Sequence, residues 1–325
     1  MPIITSLVTE PPPTDPPPAQ APPPALPPNP GRPQATYTDP AGGVWPLTDP
    51  WHGWFTLADG VSGIDAAPYE LTLDPYPRGG GRLRHAQPQV RDIVWPLHVY
   101  GADHGQFIDR WRQLGRAFTR TLRDGPGILE IARPDGTRRR IGVRYREGFT
   151  GSGEQGHYRI DDTAVITLAC EDPYWYDPVP QVVHREHSVG VPFLDPFPTV
   201  SSGQVLGATT VFNPGDITVW PTWVISGPAS LVEFMNDDTG ESFTLDPDAA
   251  GIAHGPLLAG QQVTVRTDPP QVRYQDGSNW TAALDWPDAV LWGLEPGANQ
   301  ISFQLSGSGP GSAVDLSFFP RYEVA

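Results

Sequence analysis

The residues of this chain that could do chemistry are few, and their spacing argues against it. Cys170 is the only cysteine, which rules out an intrachain disulfide and a cysteine-based metal cluster. It closes the alternating run Thr163-Ala164-Val165-Ile166-Thr167-Leu168-Ala169-Cys170, where a buried structural thiol is a simpler reading than a nucleophile. His184-Arg185-Glu186-His187 places two histidines three apart without a third ligand at metal-site spacing. Asp161-Asp162 with Glu171-Asp172 lack the regular oxygen spacing of a calcium loop, and Asp237-Asp238-Thr239-Gly240 reads as a turn. Gly79-Gly80-Gly81-Arg82 lacks the Lys-Ser/Thr ending of a phosphate loop, so a mobile loop is expected. No serine sits in a nucleophile elbow, and carboxylates are too common to single out a glycosidase pair. No enzyme, cofactor or metal is therefore expected.

The elements that would position any site come from composition. In 325 residues there are 35 Gly and 41 Pro, which favours short strands and turns over long helices. All 21 basic side chains are Arg, from coding bias or from selection for planar donors. Charge is uneven: residues 78–159 hold 16 Arg against 8 acids, whereas 160–325 hold 4 Arg against 21 acids. Opposite fields of this kind can order an assembly or steer a partner. Arg138-Arg139-Arg140 lies beside a hairpin turn in a chain of net charge −16, so sequence-specific DNA binding is not expected. There is no secretory leader and no apolar run of membrane-spanning length, so a soluble product made without export is expected.

Residues 1–36 read as a flexible extension, because 14 of the first 33 are proline and lack amide donors. Residues 37–180 read as a β-rich domain. Strands are expected at 53–57, 69–73, 92–100, 128–131, 139–145 and 163–170, with Pro96 marking a bulge or an edge. Phe107, Ile108, Trp111, Leu114 and Phe118 recur at helical spacing and predict one helix over 104–121, capped by Asp103. Arg110, Arg112, Arg116 and Arg120 lie on its polar side and are candidate interface residues. Residues 181–210 read as a linker. Residues 211–325 read as a second β-sandwich or jelly roll built of short strands. Its Trp220, Trp223, Trp280, Trp286 and Trp292 divide between core and surface, and Trp280, Trp286 and Trp292 are candidates for outer-surface binding of a glycan. Tyr174-Trp175-Tyr176 serves either the junction between the two domains or a subunit interface.

Several ordered segments resemble the distal tail proteins of long, non-contractile-tailed bacteriophages, often labelled minor tail proteins. They include Gly60-Val61-Ser62-Gly63, Pro134-Asp135-Gly136-Thr137-Arg138-Arg139 and, above all, Cys170-Glu171-Asp172-Pro173-Tyr174-Trp175-Tyr176-Asp177. Asn213-Pro214-Gly215-Asp216, Pro221-Thr222-Trp223-Val224, Leu294-Glu295-Pro296-Gly297 and Phe319-Pro320-Arg321-Tyr322 continue the likeness over about residues 50–325. The resemblance implies a mainly β protein: a tail-tube-like β-sandwich or barrel with one packed helix, then a peripheral galectin-like sandwich. It further implies a homohexameric hub in the virion, at the distal end of the tail, assembled in the host cytoplasm. Such a hub joins the tail tube protein to the tip, fibre or receptor-binding proteins, and DNA passes its lumen without sequence-specific contact. The alternative reading is a carbohydrate-binding or host-receptor adhesion protein with a host-surface glycan as partner; a polysaccharide hydrolase is a third.

Overall fold

Alternating apolar residues decide most of the architecture, because each strand buries one face and leaves the other in water. The computed structural model describes residues 31, 33–152, 158–187 and 207–325. Most of the proline-rich extension, and 188–206 of the expected linker, lie outside these residues. The fold is mainly β with one packed helix.

The first part comprises β1 (Gln34–Thr38), β2 (Val44–Pro46), β3 (Trp54–Thr56), β4 (Tyr69–Pro75), β5 (Gly81–Pro88), β6 (Arg91–Tyr100), α1 (His104–Thr119), β7 (Gly127–Ala132), β8 (Arg138–Gly148), β9 (Asp161–Cys170) and β10 (Trp175–Tyr176). One antiparallel sheet runs β2-β1-β7-β8-β9-β6-β3, and β10 pairs with β8 beside that path. β1 starts inside the stretch read as an extension, because Ala35 and Tyr37 are buried in the core. Pro96 lies in β6 where the pairing on one side is sparse. Its carbonyl accepts from Leu57 N, while its missing N–H falls between the short β3 and the isolated Ser62–Val94 bridge.

Helix α1 forms where the sequence predicts it. Asp103 accepts from Gln106 N at 2.8 Å, and the Gln106 side chain accepts from Ala102 N at 2.7 Å. Phe107, Leu114, Ala117 and Phe118 are buried against the sheet. Tyr37 of β1 stacks on Phe118 at 4.6 Å and donates to Ala117 O at 3.1 Å. The helix passes into a 3-10 turn at Arg120–Leu122. There Thr121 donates to Phe118 O and accepts from Tyr145 N of β8, tying the helix end to the sheet.

The second part comprises β11 (Gln181–Glu186), β12 (Thr209–Asn213), β13 (Thr222–Ser226), β14 (Leu231–Asn236), β15 (Ser242–Leu245), β16 (Gln262–Arg266), β17 (Gln271–Tyr274), β18 (Gly297–Ser306) and β19 (Ala313–Phe318). A five-stranded sheet, β11-β19-β13-β16-β17, packs on a four-stranded sheet, β12-β18-β14-β15. Trp223 is fully buried between them, with Phe234, Trp292 and Phe303 rings at 4.6, 5.3 and 5.4 Å. The reading of 181–210 as a linker fails at its start. β11 pairs with β19 along its whole length, from Gln181↔Phe318 to Glu186↔Ala313. Its side chains are mostly exposed, so backbone pairing rather than apolar burial holds it. A last short strand, β20 (Arg321–Tyr322), leaves this sandwich altogether.

Candidate functional site: the clasp and the projecting hairpin

The chain crosses between its two parts twice. After Phe319-Pro320, β20 pairs with β10 of the first part, Trp175 opposite Tyr322 and Tyr176 opposite Arg321. Asp177 N, on the outgoing crossing, donates to Pro320 O on the returning one at 3.1 Å. The residues after β20 go deeper. Ala325 is buried in the first core, and its N donates to Ile64 O at 3.1 Å. Glu323 accepts from Ala67 N at 3.0 Å and from the Tyr69 hydroxyl at 2.6 Å. Arg91, only 1% exposed, donates to the carbonyls of Gly63, Asp65 and Glu323. A guanidinium taken out of water needs such acceptors, and here the third is supplied by the returning chain. Burial pulls the Arg91 pKa down, against its charge.

Aromatic faces and carboxylates complete this clasp. Arg139 donates to Asp177 Oδ1 at 2.7 Å, and its guanidinium carbon lies 3.5 Å from the centre of the Tyr322 ring. Tyr322 donates to Asp177 Oδ2 at 3.0 Å; burial first, then this bond, push its hydroxyl up to about 12. Arg321 pairs with Asp172 and lies over the Tyr174 ring at 4.7 Å. Gly215 permits a close approach: a Cβ there would stand 2.4 Å from Arg321 O. Asn213, buried beside it, accepts from Gly215 N and donates to Ile217 O and Leu294 O. Segments far apart in sequence, 136–139, 172–177, 213–216 and 319–322, thus meet in one place.

The clasp also holds the base of a projection. Tyr69, which opens β4, bonds the Tyr174 hydroxyl at 2.8 Å as well as Glu323. From there β4 and β5 form a two-stranded sheet that pairs with no other strand among the described residues. Every residue of β5, and all but Asp74 of β4, is exposed. The register gives this hairpin one apolar face: Tyr69 opposite Pro88, Leu71 opposite Ala86, and Leu73 opposite Leu83. Leu71, Leu73 and Leu83 each keep more than half of their surface in water. The other face carries Glu70, Thr72, Asp74, Arg82, His85 and Gln87, with Arg84 pairing to Asp74 at 3.2 Å. A lone amphipathic hairpin is marginal in water.

The candidate residues fall into distinct groups. Tyr174, Trp175 and Tyr176 all lie in the clasp. Arg110 is used internally, donating to Tyr100 O at 2.6 Å, and Arg120 pairs with Asp39 and Asp124. Arg112 and Arg116 are exposed. The assignment of Trp280 and Trp292 to the outer surface is corrected, since both are buried, at 5% and 2% exposure. Trp280 stacks on Tyr274 at 4.5 Å, and Trp292 meets Trp223 edge-on, so both rings fill the sandwich core. Trp286 is 51% exposed. Arg91, Glu323 and Tyr69 were not among the candidates. Their only sequence signal is a charged or hydroxyl residue within an ordinary strand or turn.

The residues considered for chemistry have structural partners. Cys170 is fully buried, and burial pushes its thiol up to about 12. His184 bonds Asp315 Oδ1 at 2.6 Å across β11 and β19. Asp162 accepts from Ser152 and Thr163, Asp237 from Ser302, and Asp238 from Gln300 N. Gly79-Gly80-Gly81 leads through the turn of the projecting hairpin into β5. Among the described residues no group of three or more His, Cys, Asp or Glu side chains could hold a metal ion, and no helix is long and apolar enough to cross a membrane.

No protein-family model and no curated protein matches the chain. Solved structures do. The SPP1 Dit (gp 19.1) protein, described as a paradigm of the hub adsorption apparatus in phages infecting Gram-positive bacteria, aligns with a TM-score of 0.61 at 15% identity. The alignment covers 88% of this chain and 98% of that one. Chains of the phage P2 baseplate in its activated conformation, with Ca and with Sr, align with TM-scores of 0.52 and 0.51 at 11% identity. They cover 90% and 91% of this chain and all of their own. The chain shares its fold with phage hub and baseplate proteins. The alignments span both β-rich parts rather than one alone, so the fold in common is the pair.

Proposed function

We propose that this chain is a structural subunit of a phage tail, a distal hub that closes into a homohexameric ring and joins the tail tube protein to the tip, fibre or receptor-binding proteins. Residues 37–180 would build the ring around the DNA channel, and 211–325 would face outward. The observation that carries this reading is the hairpin of residues 69–88, whose apolar face is uncovered in a single chain. Covering it against the next copy would bury the remaining half of Leu71, Leu73 and Leu83, at about 1 kcal/mol each. A head-to-tail contact of this kind repeats around a closed ring and leaves no copy with an open end. Trp51, 88% exposed, and Val44, 64% exposed, add further apolar surface to the same part. The likeness to hub and baseplate folds supports the same reading.

Native mass spectrometry and negative-stain microscopy of the purified chain test it. A ring of six copies is expected, with labelling at the distal end of intact particles. A protein that stays monomeric at high concentration, even with tail partners added, overturns the hub.

A further inference from the structure

The second sandwich has a built concavity that the hub reading does not use. A cleft of 440 Å³ is lined by Trp220, Trp286, Asp268, Pro270, Val290 and Leu291, among others. This volume falls within the range of small-ligand sites. Both tryptophans are exposed, at 42% and 51%, yet each is held in place. Trp286 donates its indole N–H to Thr281 O at 2.9 Å, which fixes the ring and leaves its faces free of polar demands. Trp220 rests on Gly293, where a Cβ would stand 3.2 Å from its Cε3 and 2.8 Å from Thr218 Cγ2. Nearby, Thr267 is buried and spends its hydroxyl on Pro221 O, so it adds no free donor. The charged group of the lining is Asp268, whose side chain is exposed.

We propose that this cleft binds a neutral saccharide, with a sugar ring stacked on Trp220 or Trp286 and a hydroxyl donating to Asp268. Pre-ordered indole faces suit the C–H face of a pyranose, because large flat surface is presented with little side-chain freedom left to lose. The carboxylate accepts hydrogen bonds and donates none, which selects hydroxyls over anions. Residues 160–325 hold 21 acids against 4 Arg, so their field repels polyanionic polymers. The cleft lies within one chain, so the proposal stands or falls independently of the ring.

The test uses the full chain, titrated with linear neutral oligomers of glucose, galactose and N-acetylglucosamine, and with an oligogalacturonate as the anionic comparison. Binding is read by tryptophan fluorescence and by NMR line broadening of the sugar. Saturable binding of at least one neutral oligomer is expected. It should weaken about tenfold in Trp286→Ala or Trp220→Ala, weaken in Asp268→Asn, and remain unchanged in Trp51→Ala. Circular dichroism checks folding. Should Trp286→Ala fail to fold, Trp286→Phe, which keeps an aromatic face, and Asp268→Asn carry the test. No saturable binding by any neutral oligomer, stronger binding of the oligogalacturonate, or binding that survives loss of both indoles would overturn the proposal.

Discussion

The two β-rich parts expose apolar surface in opposite shapes. The first pushes it outward on an amphipathic hairpin, with leucines on one face and charges on the other. The second gathers it inward, in a cleft edged by two tryptophans. A protruding strand pair offers backbone edges and a flat face, which another protein can cover; a concave patch excludes flat surfaces and admits something small. The contrast teaches that two β-rich parts, already unlike in charge, can also be suited by local shape to different kinds of contact.

The largest test of that contrast replaces residues 70–87 with a short Gly-Ser turn. Ring formation should be lost entirely by native mass spectrometry, while saccharide binding stays as it was; loss of both would mean the two surfaces are one. Next in size, Trp223→Ala opens a cavity among the rings of Phe234, Phe243, Trp292 and Phe303 and should cost about 3–5 kcal/mol. In urea titrations it should lower the stability of the second part. If the clasp couples the two parts, tryptophan fluorescence and far-ultraviolet circular dichroism will report one coincident transition. Two separated transitions would show that the clasp does not couple them.

Glu323→Ala is smaller. It removes the acceptor for Ala67 N and Tyr69 Oη, at about 1–3 kcal/mol. It should also speed hydrogen exchange at the base of the hairpin without altering the cleft. The smallest effect concerns His184. Its hydrogen bond to Asp315 raises its pKa above the ordinary 6.5, so the bond's contribution is full below that pH and fades as pH rises through the folded value. Amides of β11 should exchange faster at pH 8 than expected from chemistry alone, and His184→Gln should remove that pH dependence.

Local pattern made much of this architecture readable. The helix at 104–119 and the strands at 91–100, 161–170 and 297–306 follow from periodic burial, so their apolar residues announced them. Exposed β4 still follows from the alternation of Tyr69, Leu71 and Leu73, but two other strands without a buried face are not legible. β5 is exposed throughout, and β11 reads as linker because its side chains are mostly exposed and no apolar alternation marks it. The clasp was invisible for another reason: Tyr69 and Arg91 reach Glu323 from 254 and 232 residues away. Nothing in the local sequence marks such partners. The tryptophans show the same limit, since Trp280, Trp286 and Trp292 look alike in composition yet only Trp286 keeps half its surface in water.

The paired crossings at Asp177 and Pro320 have a mechanical consequence. A single tether would let the sandwich swivel, and a pull on it would peel one strand at a time. Two adjacent strands anchored in the same sheet share the load in parallel and resist twisting. A tug on the sandwich would therefore reach the first sheet as shear across both.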